Sequence, residues 1–212
     1  MLIGFLISGI IYKATKAENV NNDALTVIID PGHGGVDGGA EFDGIIESHI
    51  NLLISQKLAQ FLEEHNIVVI LTRTGDYDLS KGALPRKRND THNRVRMINQ
   101  SNAALYVSIH LNSSHPLDRG AQVFYTNTNS KSETIANMIQ DSLIEVLQNT
   151  RRRPRVADTL YLIKNAKKPG VLVEAGFLSN CDERALLNDE EYQEKVAKAI
   201  GLGILNFLSF EE

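Results

Sequence analysis

Four short motifs carry residue types from which a metal-dependent hydrolase can be built. Asp30-Pro31-Gly32-His33-Gly34-Gly35 sets a histidine in a glycine-rich turn after an apolar run, and Ser108-Ile109-His110-Leu111-Asn112-Ser113 ends another such run on a histidine. Glu47 opens an amphipathic stretch in which Ile50, Ile54 and Leu58 follow at spacings that share its face of a helix. A carboxylate on that apolar stripe is unfavourable unless something positive compensates it, and a metal ion at a sheet edge does so. His33, Glu47 and His110 together make a His2Glu set, which with one water leaves the open fourth position of a catalytic zinc site. Val173-Glu174-Ala175-Gly176-Phe177 adds Glu174 on an apolar strand before a sharp turn, a placement suited to a base.

Each residue alone has a plainer meaning. His33 by itself fits a structural turn histidine, and Glu47 fits a helix N-terminus that favours acidic side chains. Glu174 fits equally a fourth metal ligand or an ion-paired structural residue. His49, two residues on from Glu47, faces the other way and is a poor ligand. His65 reads as a helix C-terminal residue, and His92 and His115 sit in polar context.

Composition narrows the classes. The one cysteine, Cys181, excludes an internal disulfide and a thiolate-rich zinc site, and nothing near it resembles a nucleophile's base. Any metal is therefore held by histidine and carboxylate. A formal net charge of −4 gives no electrostatic reason to bind nucleic acid, which is excluded as a partner. The glycines around His33 do not form a nucleotide cradle, since no Gly-Lys-Ser/Thr follows and Asp37 and Glu41 would repel an anion. Arg151-Arg152-Arg153-Pro154-Arg155 is too short for a nucleic-acid stripe. It reads as a solvated turn or as a clamp for the carboxylates of an acidic peptide.

These groups need a scaffold, and the pattern supplies one. Leu25 to Asp30, Ile67 to Thr72, Ala104 to His110, Ala121 to Thr126 and Val171 to Ala175 have the composition of buried strands, with the first, second, third and fifth expected to be central. Helical stretches run at Glu47 to His65, Asp90 to Ser101, Lys131 to Gln148 and Asp189 to Phe207, and Thr74 to Asp90 reads as a long surface loop. The alternation predicts an α/β three-layer sandwich, a largely parallel sheet with helices on both faces and the site along its C-terminal edge.

Two regions are expected, residues 1–23 as a leader and linker and residues 24–212 as one catalytic domain. Met1 to Tyr12 is apolar and uncharged, and as a helix it spans roughly 18 Å against the roughly 30 Å of a bilayer core. It reads as a signal-peptide core or a truncated membrane anchor, although a basic start and an Ala-x-Ala cleavage site are missing. The expected location is outside the cytoplasmic membrane, exported or tethered.

Together with Thr72-Arg73 and Asp76, Arg94 and Asn99, Gly120, and Leu178-Ser179-Asn180 ahead of Glu183, these motifs resemble the zinc-dependent N-acetylmuramoyl-L-alanine amidases of the amidase_3 type. The resemblance covers essentially everything from Leu25 onward. It implies a mixed sheet of about six strands, one zinc ion on His33, Glu47 and His110, and Glu174 as the catalytic carboxylate. It assigns no substrate-binding residue. The implied substrate is the peptidoglycan glycan strand with its stem peptide. Between Tyr125 and Glu174 there is no obvious room for the site-blocking helix of division amidases. The leader-plus-catalytic-domain plan is most similar to the spore-cortex members, which strip stem peptides so that muramic-δ-lactam, the mark read at germination, can form. An accessory protein and a membrane tether are compatible with that plan. A different zinc amide hydrolase (peptidase or deacetylase) and a non-catalytic wall-binding protein are the competing readings.

Overall fold

A computed structural model describes residues 25–80 and 85–211. The expected leader lies outside the described residues, and among those described no helix is long and apolar enough to cross a membrane.

In chain order the elements are β1 (Thr26–Pro31), β2 (Glu41–Phe42), β3 (Ile45–Ile46), α1 (Glu47–Glu64), β4 (Val68–Leu71), α2 (Arg86–Gln100), β5 (Leu105–Asn112), β6 (Gln122–Tyr125), α3 (Ser130–Leu147), β7 (Arg155–Val156), α4 (Tyr161–Asn165), β8 (Gly170–Phe177), α5 (Cys181–Leu187) and α6 (Glu190–Glu211). The main sheet has six strands in the order β4-β1-β5-β8-β6-β7. The first four are mutually parallel, β6 runs antiparallel to β8, and β7 runs parallel to β6. Residues such as Val27, Ile28 and Ile29 are buried on both faces of β1, which is why the strand reads as a continuous apolar run rather than an alternation.

Alternate residues serve different layers. Val27, Ile29, Val107 and Val173 pack under Ile54 and Leu58 of α1, Ile135 and Ile139 of α3, and Ile200 and Ile204 of α6. Ile28 and Tyr106 face the opposite layer, with Val95 and Ile98 of α2 and Leu162 of α4. This is the expected three-layer sandwich. From β1 the chain runs through α1 outward to β4, then returns through α2 on the other face to β5, on the far side of β1. The crossovers therefore part between β1 and β5, and such a switch point opens a crevice at the strands' C-terminal ends.

Three expectations need correction. The run Ile67 to Thr72 is not central: β4 forms one edge of the sheet, and Val68 is 44% exposed. Its Val-Val-Ile-Leu composition fits a strand covered on one side as well as one covered on both. The segment Thr74 to Asp90 is not loop throughout, because α2 begins at Arg86, behind Pro85 at its N-cap. Its first turn is Arg-Lys-Arg-Asn, and with no apolar residue there no helical period marks the start. Between Tyr125 and Glu174 lie β7 and α4 besides the expected helix, both too short to show a period.

Candidate active site

The sequence places His33 just past β1, and the backbone there turns through a left-handed conformation, with φ of 59° at His33 itself. Gly34 and Asp37 pair across that turn. The turn carries the Asp37 carboxylate to the imidazole, Oδ2 lying 3.0 Å from His33 Nδ1. That contact leaves Nε2 to face inward, and it lies 3.3 Å from Glu47 Oε1.

Glu47 is the first residue of α1, delivered by the small β2–β3 hairpin, and is 4% exposed. Its Oε2 accepts the Ala40 backbone N–H at 2.9 Å. Its Oε1 accepts the Leu111 N–H at 3.2 Å and the Asn51 amide at 3.3 Å. His110 closes the group from β5, with Nδ1 3.1 Å from the same Oε1. The two imidazoles meet edge to face with centroids 4.9 Å apart. One ligand atom from each of His33, Glu47 and His110 falls within 4.8 Å of the others, so this cluster can hold a metal ion.

Burial alone would raise the Glu47 carboxyl pKa, but the hydrogen bonds and charges of His110 and His33 hold it well below the usual carboxylate range. Burial opposes protonation of His33, yet Glu47 and Asp37 together lift its imidazole above its ordinary value. A carboxylate flanked by two imidazoles is a donor set able to hold a divalent cation, and a carboxylate–histidine contact such as that from Asp37 is the kind of outer partner that fixes a ligand's tautomer.

Two glycines permit this packing. A Cβ on Gly32 would lie 2.3 Å from the His110 ring, and one on Gly39, where φ is +74°, would lie 2.4 Å from Glu47 Oε2.

Glu174 lies on β8 opposite His110, and the β5–β8 register slips just beyond that pair. Burial, the largest effect, pushes its carboxyl pKa up to about 7, with the Glu47 charge adding to the rise and His110 and His33 opposing it. Its Oε2 is buried without a hydrogen-bond partner. A group left so is expected to meet its partner only when metal, water or substrate arrives. Near neutrality it can both accept and return a proton.

The backbone of the His33 turn is held by two buried arginines. Arg94 donates to the carbonyls of Pro31 at 2.7 Å and His33 at 2.6 Å, and to Asp30 Oδ1 at 2.7 Å. Arg73 donates to the carbonyls of Pro31, Gly32 and Ser48 at 2.9, 2.9 and 2.7 Å. Asp30 also accepts from Thr72 Oγ1 and Ser108 Oγ, so the motif's first residue is structural. Glu183 does a similar service on the other flank, accepting the backbone N–H groups of Gly120 and Phe177 at 2.8 Å each.

Sequence reasoning brought together His33, Glu47, His110 and Glu174. It read Asp37 only as an anion-repelling charge, and it passed over Asn51 and Gly39. Asn51 is four residues on from Glu47 and so shares its helix face, the one signal that could have found it. The remaining four histidines stay apart: His49 is exposed beside Asp76 at 3.5 Å, His65 bonds the Phe61 carbonyl, His92 stacks on Tyr161, and the exposed His115 accepts the Leu117 N–H. Cys181 is exposed, and its thiol meets only Asp182.

A family profile described as N-acetylmuramoyl-L-alanine amidase matches residues 27–206, which takes in every one of these groups. The chain belongs to this amidase family. It is 39% identical to the germination-specific N-acetylmuramoyl-L-alanine amidase of Bacillus subtilis, over 98% of this chain and 93% of that one. It is 33% identical to the amidase LytC of the same organism, covering 92% of this chain but 38% of that longer protein. Among solved structures it superimposes on the CwlD amidase of Clostridioides difficile, determined in complex with the GerS lipoprotein, with TM-score 0.84 and 40% identity over 88% of this chain and 99% of that chain. An amidase of Clostridium difficile 630 matches with TM-score 0.81 and 31% identity over 89% and 99%. The amidase thus shares its fold with solved amidases of this family.

Proposed function

We propose that this amidase hydrolyses the bond between the lactyl group of N-acetylmuramic acid and the L-alanine of the stem peptide, with one zinc ion held by His33, Glu47 and His110 and with Glu174 as the proton carrier. The observation that carries the reading is the buried, unpartnered Glu174 carboxylate on the strand beside His110, at the same sheet edge as the converged donor set. When bound, zinc supplies Lewis acidity to the scissile carbonyl and to the attacking water. Glu174 takes the proton from that water, and the same carboxyl then returns it to the departing L-alanine amine, which leaves protonated. Asp37 and Asn51 hold His33 and Glu47 in place, while Arg73 and Arg94 keep the His33 turn rigid.

The biological setting we propose is the spore cortex, outside the cytoplasmic membrane, where stem-peptide removal prepares muramic-δ-lactam for germination. The similarity to a germination-specific amidase over nearly the whole chain supports this, as does the likeness to the CwlD amidase. The latter was solved with a lipoprotein, which supports an accessory partner here as well. Residues 1–23 are proposed as the exporting or tethering leader, ahead of a catalytic domain from residue 24.

Elemental analysis paired with mass spectrometry of peptidoglycan fragments tests the core of this reading. About one zinc per chain and released peptides with an L-alanine amino terminus are expected, and His110→Ala should lose both. Released acetate, or peptides cut at another bond, would replace it with a deacetylase or peptidase.

A further inference from the structure

We infer that the arginine turn behind α3, fastened to β6 by Gln122, is a subsite for the stem peptide's carboxylates, one strand beyond Glu174; the substrate class rests on the amidase reading above. His110 pairs with Glu174, and Glu174 pairs in turn with Gln122, so the three side chains follow one another across one sheet face. Neighbouring strands stand about 4.8 Å apart, and Gln122 is therefore the next side chain a bound chain meets when it leaves Glu174 on the side away from His110.

Gln122 ties the turn down at two points. Its Nε2 donates to the Arg153 carbonyl at 2.8 Å, and its Oε1 accepts from Arg152 Nη1 at 3.3 Å. Arg152 also donates through Nε to the Arg119 carbonyl at 2.8 Å and lies 4.7 Å over the Phe177 ring. The turn is thus not simply solvated: Arg152 is half-buried and fixed in orientation. Its hydrogen bonds are to neutral groups, and the Glu183 and Asp118 carboxylates feel its charge without a hydrogen bond to it. Among the described residues the turn's one ion pair is the exposed Arg153 with Asp141, at 3.6 Å. Glu183, the nearby buried carboxylate, has both oxygens engaged by backbone N–H groups. Arg155, exposed on β7, pairs with Phe124, two residues on from Gln122 along β6, which sets it on the same sheet face.

In a chain of net charge −4, four arginines in five residues beside the site make a local positive field. A guanidinium held flat by neutral partners keeps its remaining N–H fork for a planar anion, and a carboxylate fits that fork in a bidentate manner. An extended peptide advances about 3.3 Å per residue. With the scissile amide at Glu174, a carboxylate one or two residues beyond the L-alanine reaches the turn. The acidic residue that follows L-alanine in the stem peptide supplies one.

Two substrates that differ only in the charge of the D-glutamyl residue test this, N-acetylmuramoyl-L-alanyl-D-glutamate and its counterpart with both carboxyls amidated. The zinc-loaded wild type should cleave the free acid with kcat/KM roughly tenfold above the amide, the scale of one charge-assisted hydrogen bond. Arg152→Ala and the exposed Arg155→Ala should each erode that preference by raising KM for the acid more than for the amide. Calorimetric binding of L-alanyl-D-glutamate and of its diamide gives a readout independent of turnover. If neither muramoyl substrate is cut, the amidase reading fails, while dipeptide discrimination still decides the subsite. Equal handling of acid and amide by the wild type, or a preference untouched in both variants, overturns the subsite.

Discussion

Glu174 stands opposite His110 on neighbouring parallel strands, and one of its oxygens is buried with no hydrogen-bond partner. The pair joins a candidate metal ligand to a carboxyl whose pKa burial has raised to about 7. Glu174→Gln keeps the shape and removes the proton carrier. Zinc content should stay at the wild-type level while kcat falls by roughly 10²–10⁴, the usual contribution of a general acid–base. Substantial turnover in that variant would remove Glu174 from the reaction.

The same carboxyl makes a separate prediction about stability. Its folded pKa lies above the unfolded carboxylate value, so ionising it opposes folding, and stability is lost as the pH rises from about 4.5 through about 7. In metal-stripped protein at pH 8, Glu174→Gln should therefore be the more stable form, by about 1–3 kcal/mol. Denaturant titrations at pH 8 and pH 5 check this. The advantage should shrink at the lower pH, and an advantage of the wild type at both values would contradict it.

Gly32 and Gly39 are required by close approach. The added methyl of Gly32→Ala meets the His110 ring at 2.3 Å and that of Gly39→Ala meets Glu47 Oε2 at 2.4 Å, so each should displace one member of the donor set. Competition with a colorimetric chelator should show zinc affinity weakened by roughly 10–100-fold, as when a ligand's support is lost. Circular dichroism should show the fold retained. Unchanged affinity in both variants would separate the cluster from metal binding.

How far the sequence carries can be judged from these same residues. His33, His110 and Glu174 were legible because each lies just beyond or within the end of an apolar strand, which fixes it to the sheet's C-terminal edge. Glu47 was legible from helical spacing. What escaped was the role of residues set by neighbours remote in sequence. Arg73 and Arg94 bond carbonyls of the His33 turn 41 to 63 positions away, and no periodicity encodes such a contact. The edge position of β4 escaped for a similar reason, since exposure of Val68 depends on strand order and not on its own run of apolar residues.

Asp37 presents the next test. Its carboxylate bonds His33 Nδ1 at 3.0 Å and is itself partly exposed, so its removal should leave the fold intact. Asp37→Asn keeps a hydrogen-bonding oxygen but loses the charge that raises the basicity of the imidazole. Zinc affinity should fall by about 10-fold or more, with kcat at saturating zinc close to wild type. A loss of kcat that added zinc does not restore would instead place Asp37 in contact with the substrate.

Asp30 and Arg94 set the acid limit of the fold. Asp30 is fully buried, and although burial alone would raise its pKa, the Arg94 charge and the hydrogen bonds from Thr72, Ser108 and Arg94 hold it below the ordinary carboxylate value. A folded pKa below the unfolded one contributes stability that is complete above the unfolded value and is lost as the pH falls through the folded one. Thermal unfolding followed from pH 7 to pH 2 should show Tm falling below about pH 4, where an unfolded Asp takes up its proton. Asp30→Asn removes one of the two buried carboxylates that face the Arg94 guanidinium, with Asp90 remaining at 2.7 Å, and should cost about 1–3 kcal/mol at neutral pH. That variant should also show a shallower acid decline, because the proton uptake that drives it is gone. An acid limb as steep in Asp30→Asn as in the wild type would assign acid sensitivity to another carboxylate and leave the Asp30–Arg94 pair with a positioning role only.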